Sequence, residues 1–247
     1  MTRLAKACIL STVVLAALAP AAAWTPRTRV HMTDEAVRLM PASLRMALVA
    51  QRERLLRGML DPMRREDDPG HKPPWVDGTL DREVETRVAE LEEALSRRTP
   101  FGELAERFGA LAHYVLDAGF PPGMTDGDGD GRYAHFANLC ESRYERFPLV
   151  FYGHDDDDLA RADYRAFALD AMQRARREDL ELSRAYAAAG SPPNPAAFDD
   201  RSIPFAVASL AYSHTVNEIV RVWLSVWERA GGDVGRTPYR KISPAPE

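Results

Sequence analysis

His113 and Asp117 stand four residues apart at the end of an apolar stretch, Phe108 to Asp117. On a helix that spacing puts both side chains on one face, about 6 Å apart along the axis. A neutral imidazole and a carboxylate held that way are either half of a zinc site or a hydrogen-bonded pair in a core. The loop 61–79 adds donors in Asp61, Asp67, Asp68 and His71. Long loops on a helical scaffold often carry the groups that bind. Glu141 and Glu145 repeat the four-residue spacing, as a second ligand pair or as a solvated face beside Arg143 and Arg146.

Other candidates carry less. Asp126, Asp128, Asp130 and Gly131 match the opening of an EF-hand calcium loop, but the twelfth position, a bidentate Glu in such loops, is Ala137. An acidic turn is the expectation there. His154 and the run Asp155 to Asp158 precede a helix, where the dipole favours acids without any chemistry. His214 lies in an apolar segment and reads as a satisfied core histidine.

The elements that must position these groups read as helices throughout. Thr33 looks like an N-cap for a helix over 34–58, interrupted at Pro41. Further helices are expected over 81–98, 101–118, 134–147, 158–189 and 203–230. The third stops at Gly119 ahead of Pro121 and Pro122, the last at Gly231 and Gly232. No strand pattern, internal repeat, P-loop, G-x-S-x-G elbow or zinc-ribbon cysteine set is present. The chain therefore reads as all-α, one domain built as a multi-helix bundle over 24–235, with 236–247 as a disordered tail.

Arg3 and Lys6, the apolar run 7–19 and Ala21-Ala22-Ala23 together read as a secretory signal peptide over 1–23, rather than as a membrane anchor, for which the run is short. Cleavage there makes Trp24 the first residue. It removes two bases and no acids, so 30 Lys and Arg face 37 Asp and Glu, a formal charge of −7. That balance argues against gripping double-stranded nucleic acid. No second stretch is long enough to span a membrane. Only Cys140 survives cleavage, so no internal disulfide can form. A secreted or periplasmic location follows from this reading.

The order of these parts resembles a known superfamily: the bacterial zinc-dependent phospholipases C and the fungal single-strand-specific nucleases. The resemblance rests on Trp24 after an A-x-A site, His31 soon after, Asp61 and His71 in the next long loop, and HYVLDAGFPP from His113. It rests also on SRYE ending at Glu145, and on IPFAVASLAYSH in the last helix. It implies an all-α fold and a cluster of zinc ions. It also implies that the Trp24 amine and carbonyl, His31 and Asp117 hold one zinc, while Asp61, His71, His113 and Asp117 hold another. Asp61, or a water partner bridging the metals, would be the general base. Gly123 and Glu141 stand where the family carries histidines for a third zinc; Glu145 matches. His135 could substitute only by local rearrangement. One or two zinc ions are therefore expected, with a harder divalent ion at Glu141 and Glu145 as an option. The function implied is a secreted phosphoester hydrolase acting on phospholipid or a small phosphodiester. The alternative is a non-catalytic exported metal-binding protein that keeps the fold.

Overall fold

The computed structural model describes residues 23–65, 68–125, 131–190 and 198–240. The expected signal segment up to residue 22, Asp67, Asp126, Asp128, Asp130 and the last seven residues lie outside it. Among the described residues the structure is helical, with no strand.

The first helix, α1 (Pro26–Arg38), begins eight residues before the expected start. Thr25 is its N-cap, its side chain accepting from the Thr28 amide, and Pro26 sits at the first helical position, where its missing N–H costs nothing. Thr33, read as the cap, is buried in mid-helix and donates to the Arg29 carbonyl at 2.8 Å. This shift matters because it places Arg29 and His31 inside a helix rather than ahead of one. Two short helices follow the break at Met40-Pro41: α2 (Ala42–Ala50) and α3 (Arg52–Leu60).

Three 3₁₀ turns, Asp61–Arg65, Pro69–His71 and Pro74–Val76, organise most of the loop that leads to α4 (Leu80–Ser96). The central helix is α5 (Phe101–Ala118), as the apolar pattern predicts. A short 3₁₀ turn, Pro121–Met124, precedes α6 (Arg132–Arg143), which tightens into another at Tyr144–Arg146. The expected helix over 158–189 divides into α7 (Asp157–Ala160), capped by Asp156, and α8 (Tyr164–Ala189). The last helix is α9 (Ile203–Arg229).

The core forms around α5 and α9. From Leu111 to Ala118 every residue of α5 is buried, the mark of a helix enclosed on all sides. The Trp223 indole of α9 donates to the Phe108 carbonyl at 3.1 Å and fastens the two helices together. Helices α3 and α4 flank α5, α8 lies on α4 and α9, and α1 packs along α9. Gly58 and Gly109 set the α3–α5 crossing. A Cβ on Gly58 would meet the Glu106 carbonyl oxygen at 1.9 Å, and one on Gly109 the Leu55 carbonyl oxygen at 2.0 Å. The two backbones touch, which brings the C-terminal carbonyls of α3 against α5 at the level of His113. Residues 236–240, placed in the tail by the sequence reading, lie against the body: Pro238 accepts from His154 Nε2 at 2.8 Å and Tyr239 stacks near Phe151.

Candidate metal centre

His113 and Asp117 do share one face of α5, and the loop delivers His71 onto them. Asp117 Oδ2 is 2.7 Å from His71 Nδ1 and 3.1 Å from His113 Nε2, and the two histidine nitrogens are 3.3 Å apart. Among the described residues these three are the group whose donor atoms converge closely enough to hold a metal ion. A point equidistant from all three lies about 1.8 Å away in their plane. An ion about 1 Å above that plane would sit at about the 2.0–2.1 Å of a zinc–nitrogen bond. The trio therefore fits a divalent ion with two nitrogen donors and one oxygen.

His71 reaches the site because its loop is clamped. The Thr79 amide bonds the Pro69 carbonyl at 2.8 Å, the Leu80 amide bonds Lys72 at 3.0 Å, and Trp75 donates to Met124 at 2.8 Å. The His71 ring stacks on Tyr114, with centroids 5.3 Å apart.

The His113 tautomer follows from its partner. Its Nδ1 is 2.7 Å from the Met59 carbonyl oxygen, which can only accept, so Nδ1 carries the proton. The Nε2 lone pair then faces the Asp117 carboxylate. Two acceptors 3.1 Å apart require something positive between or beside them. A carbonyl that fixes the far nitrogen of a histidine is the usual support for a metal-binding imidazole. Burial lowers the His113 pKa, opposed by Asp117 and assisted by Arg29, so the ring is neutral near pH 7. Burial would by itself raise the Asp117 pKa. The Arg29 charge, with the hydrogen bond from His71, overcomes that and holds the carboxyl well below the ordinary aspartate value.

Arg29, from α1, closes the other side of the cluster. Its side chain is fully buried. Nη2 donates to Asp117 Oδ1, Nε to the Trp24 carbonyl at 2.9 Å, and Nη1 to the His113 carbonyl at 3.4 Å. Trp24 is also fully buried; its indole donates to Leu116 at 2.9 Å and its ring meets Phe120 edge-on at 5.2 Å. The Trp24 carbonyl and one Asp117 oxygen, both assigned by resemblance to a zinc ion, thus hold a guanidinium.

His31 does not join them. It leaves α1 two residues after Arg29, a rotation of about 200°, so the two side chains point to opposite sides. Its Nδ1 is 2.6 Å from the Tyr212 hydroxyl, its ring lies 4.4 Å from Tyr144, and its side chain is 34% exposed. His31 is thus turned away from the Trp24 carbonyl and Asp117, with which the resemblance grouped it.

Several other expected ligands also stand apart. Asp61 is 55% exposed, beside Arg64, although it lines the same cleft as His71. Glu141 lies on α6 but Glu145 lies in the following 3₁₀ turn, exposed, and the change of helix type breaks their shared face. His135 bonds Tyr186 at 2.7 Å and packs against Phe198. His214 is paired with Glu178 at 2.9 Å. Cys140 is buried, and burial pushes its thiol pKa well above the usual range, which makes it a poor nucleophile.

No family model matches the chain, and no curated protein sequence matches it. Among solved structures, the crystal structure of Clostridium perfringens alpha-toxin from avian strain SWCP superposes with a TM-score of 0.61 at 13% sequence identity. The match covers 87% of this chain and 66% of the toxin chain, so this chain spans about two thirds of the toxin's length. The fold is shared with alpha-toxin.

The cleft beside the centre has a volume of about 740 Å³ and is lined by six carboxylates, including Asp61, Asp68 and Glu83, and by Arg65, Arg87 and Arg107. His71 is the member of the trio that reaches its wall. Arg29 is the functional residue the sequence reading passed over. A signal was present: Arg29, Met32 and Ala36 recur at helical spacing on one stripe, and a charge on an apolar stripe is rarely buried without a partner.

Proposed function

We propose that this chain is a metal-dependent phosphoester hydrolase of phospholipase C type, working with a single divalent ion held by His71, His113 and Asp117. The observation that carries this is the convergence of two imidazole nitrogens and one carboxylate oxygen beside an open cleft whose wall His71 reaches. Three protein ligands leave a coordination position open, as in catalytic rather than structural zinc sites. A divalent ion bound there supplies an acidified water and a charge to neutralise a phosphoryl oxygen. The shared fold with alpha-toxin and the order of motifs shared with the zinc-dependent phospholipases C support the same reading.

The chain's own residues have definite parts in it. Met59 holds His113 in the tautomer that offers Nε2. Arg29 keeps Asp117 ionised and turned so that Oδ2 faces the histidines. Asp61, on the same cleft wall as His71, is the carboxylate we assign to take a proton from the attacking water. Carboxylates outnumber arginines in the cleft, which disfavours a nucleic-acid strand.

A second reading, a metal-binding protein without catalysis, is favoured by the separation of Glu141 from Glu145 and of His31 from Asp117. Hydrolysis of phosphatidylcholine vesicles and of bis(p-nitrophenyl) phosphate, with zinc supplied, decides between them. Turnover is expected well below about 100 per second, since a transition state stabilised by one ion loses charge compensation. His71→Ala should abolish it. Zinc binding without turnover of either substrate establishes the second reading.

A further inference from the structure

We infer that the Arg29 guanidinium is a resident cation that occupies the place of a second metal ion, so that the centre is mononuclear and Arg29 sets its affinity. This rests on the reading that His71, His113 and Asp117 bind a divalent ion.

A carboxylate that bridges two ions through both of its oxygens offers one oxygen to each. Asp117 is divided differently: Oδ2 faces His71 and His113, while Oδ1 is held by Arg29. The guanidinium also takes the Trp24 carbonyl and lies against the His113 carbonyl, so three oxygens on that side of the cluster are engaged by it. Arginine stays charged at any pH a protein survives, so the positive charge is permanent. Arg29 is wholly buried, and repulsion between it and a second ion sharing Asp117 would be unscreened by salt or water. The nearest nitrogen donor on α1, His31, points away and is engaged by Tyr212. Among the described residues no other group of histidine, cysteine and carboxylate donors converges to replace it.

The same charge acts on the ion that does bind. Two neutral imidazoles and one carboxylate would give a divalent centre a net charge of +1, and Arg29 raises it to +2. Arg29 therefore orders the ligands while holding metal affinity down, a combination that suits an exchangeable ion.

Native mass spectrometry of the purified chain, titrated with zinc and with its N-terminus read from the same spectra, tests the count. One zinc per chain is expected. Two or more overturn the inference without touching the hydrolase reading; none overturns both; one zinc without hydrolysis leaves the inference standing. Arg29→Met keeps length and removes charge. If it folds by circular dichroism, zinc should bind at least tenfold tighter, and unchanged or weaker binding overturns the proposal. If it does not fold, His31→Ala decides. That substitution on the half-exposed side should leave zinc count and affinity unchanged, and the loss of an ion would show that a second site exists.

Discussion

Arg29 and His31 leave the same helix two residues apart and enter unlike surroundings. Arg29 goes into a dry pocket where a carboxylate and two backbone carbonyls surround it. His31 goes to a half-open face, where a tyrosine hydroxyl and two aromatic rings meet it. In the first region each polar atom depends on several others, because an unpaired charge out of water is costly. In the second, water can replace whatever a side chain loses. The difference separates a centre organised around charge from a surface that only packs, although the resemblance pointed to His31 and not to Arg29.

The largest effect is expected from Asp117→Ala. It leaves the Arg29 charge buried without its carboxylate, which should cost about 3–5 kcal/mol. For a chain of this size that is roughly 10 °C in melting temperature. Thermal melts would read it directly, and a shift below about 2 °C would mean that the two regions are alike after all.

Zinc should sharpen the contrast. An ion bound only by the folded chain adds about 2.7 kcal/mol at a hundredfold excess over its Kd. Wild-type melts should rise on adding zinc and fall with chelator. His113→Ala should respond to neither. An unchanged wild-type melt would remove the metal from the first region.

Acid should attack the buried region first. The His113 pKa in the fold lies below its ordinary value of 6.5, so the unfolded chain takes up that proton first and stability falls as pH drops below about 6.5. The Asp117 pKa lies well below 3.8, so its contribution is complete above about pH 4 and is lost as pH falls through the depressed value. Both slopes have the same sign. Melts in chelator from pH 7.5 down through the depressed Asp117 range should decline in these two steps, and Asp117→Asn should remove the lower one.

The smallest effect belongs to the second region. Tyr212→Phe removes the hydroxyl 2.6 Å from His31 Nδ1 and should cost about 1 kcal/mol, with no change in zinc binding. A loss of zinc would place His31 in the centre.

The α5 face carrying His113 and Asp117 was legible from spacing alone, because an (i, i+4) relation is a local property of any helix. The all-α architecture and the limits of α5 were legible for the same reason. His71 could be named as a donor from its loop, but not its approach to Asp117, which depends on the clamp made by Trp75, Thr79 and Leu80. Glu141 and Glu145 shared a face only while α6 was taken to continue through Tyr144, and the turn to 3₁₀ geometry there ends it.

The remaining decision lay at the start of α1. Two cap signals compete there, Thr25-Pro26 and Thr33-Asp34-Glu35. With the later one, His31 would be free in an extended segment to reach Asp117. With the earlier one, helical phase locks Arg29 toward the core and His31 away from it. Residue order therefore determined which donors the chain carries and which of them share a helix face. Only the packing of α1 against α9 and α5 decided which positive charge meets Asp117, because that depends on where a whole helix comes to rest, and no spacing along the chain records it.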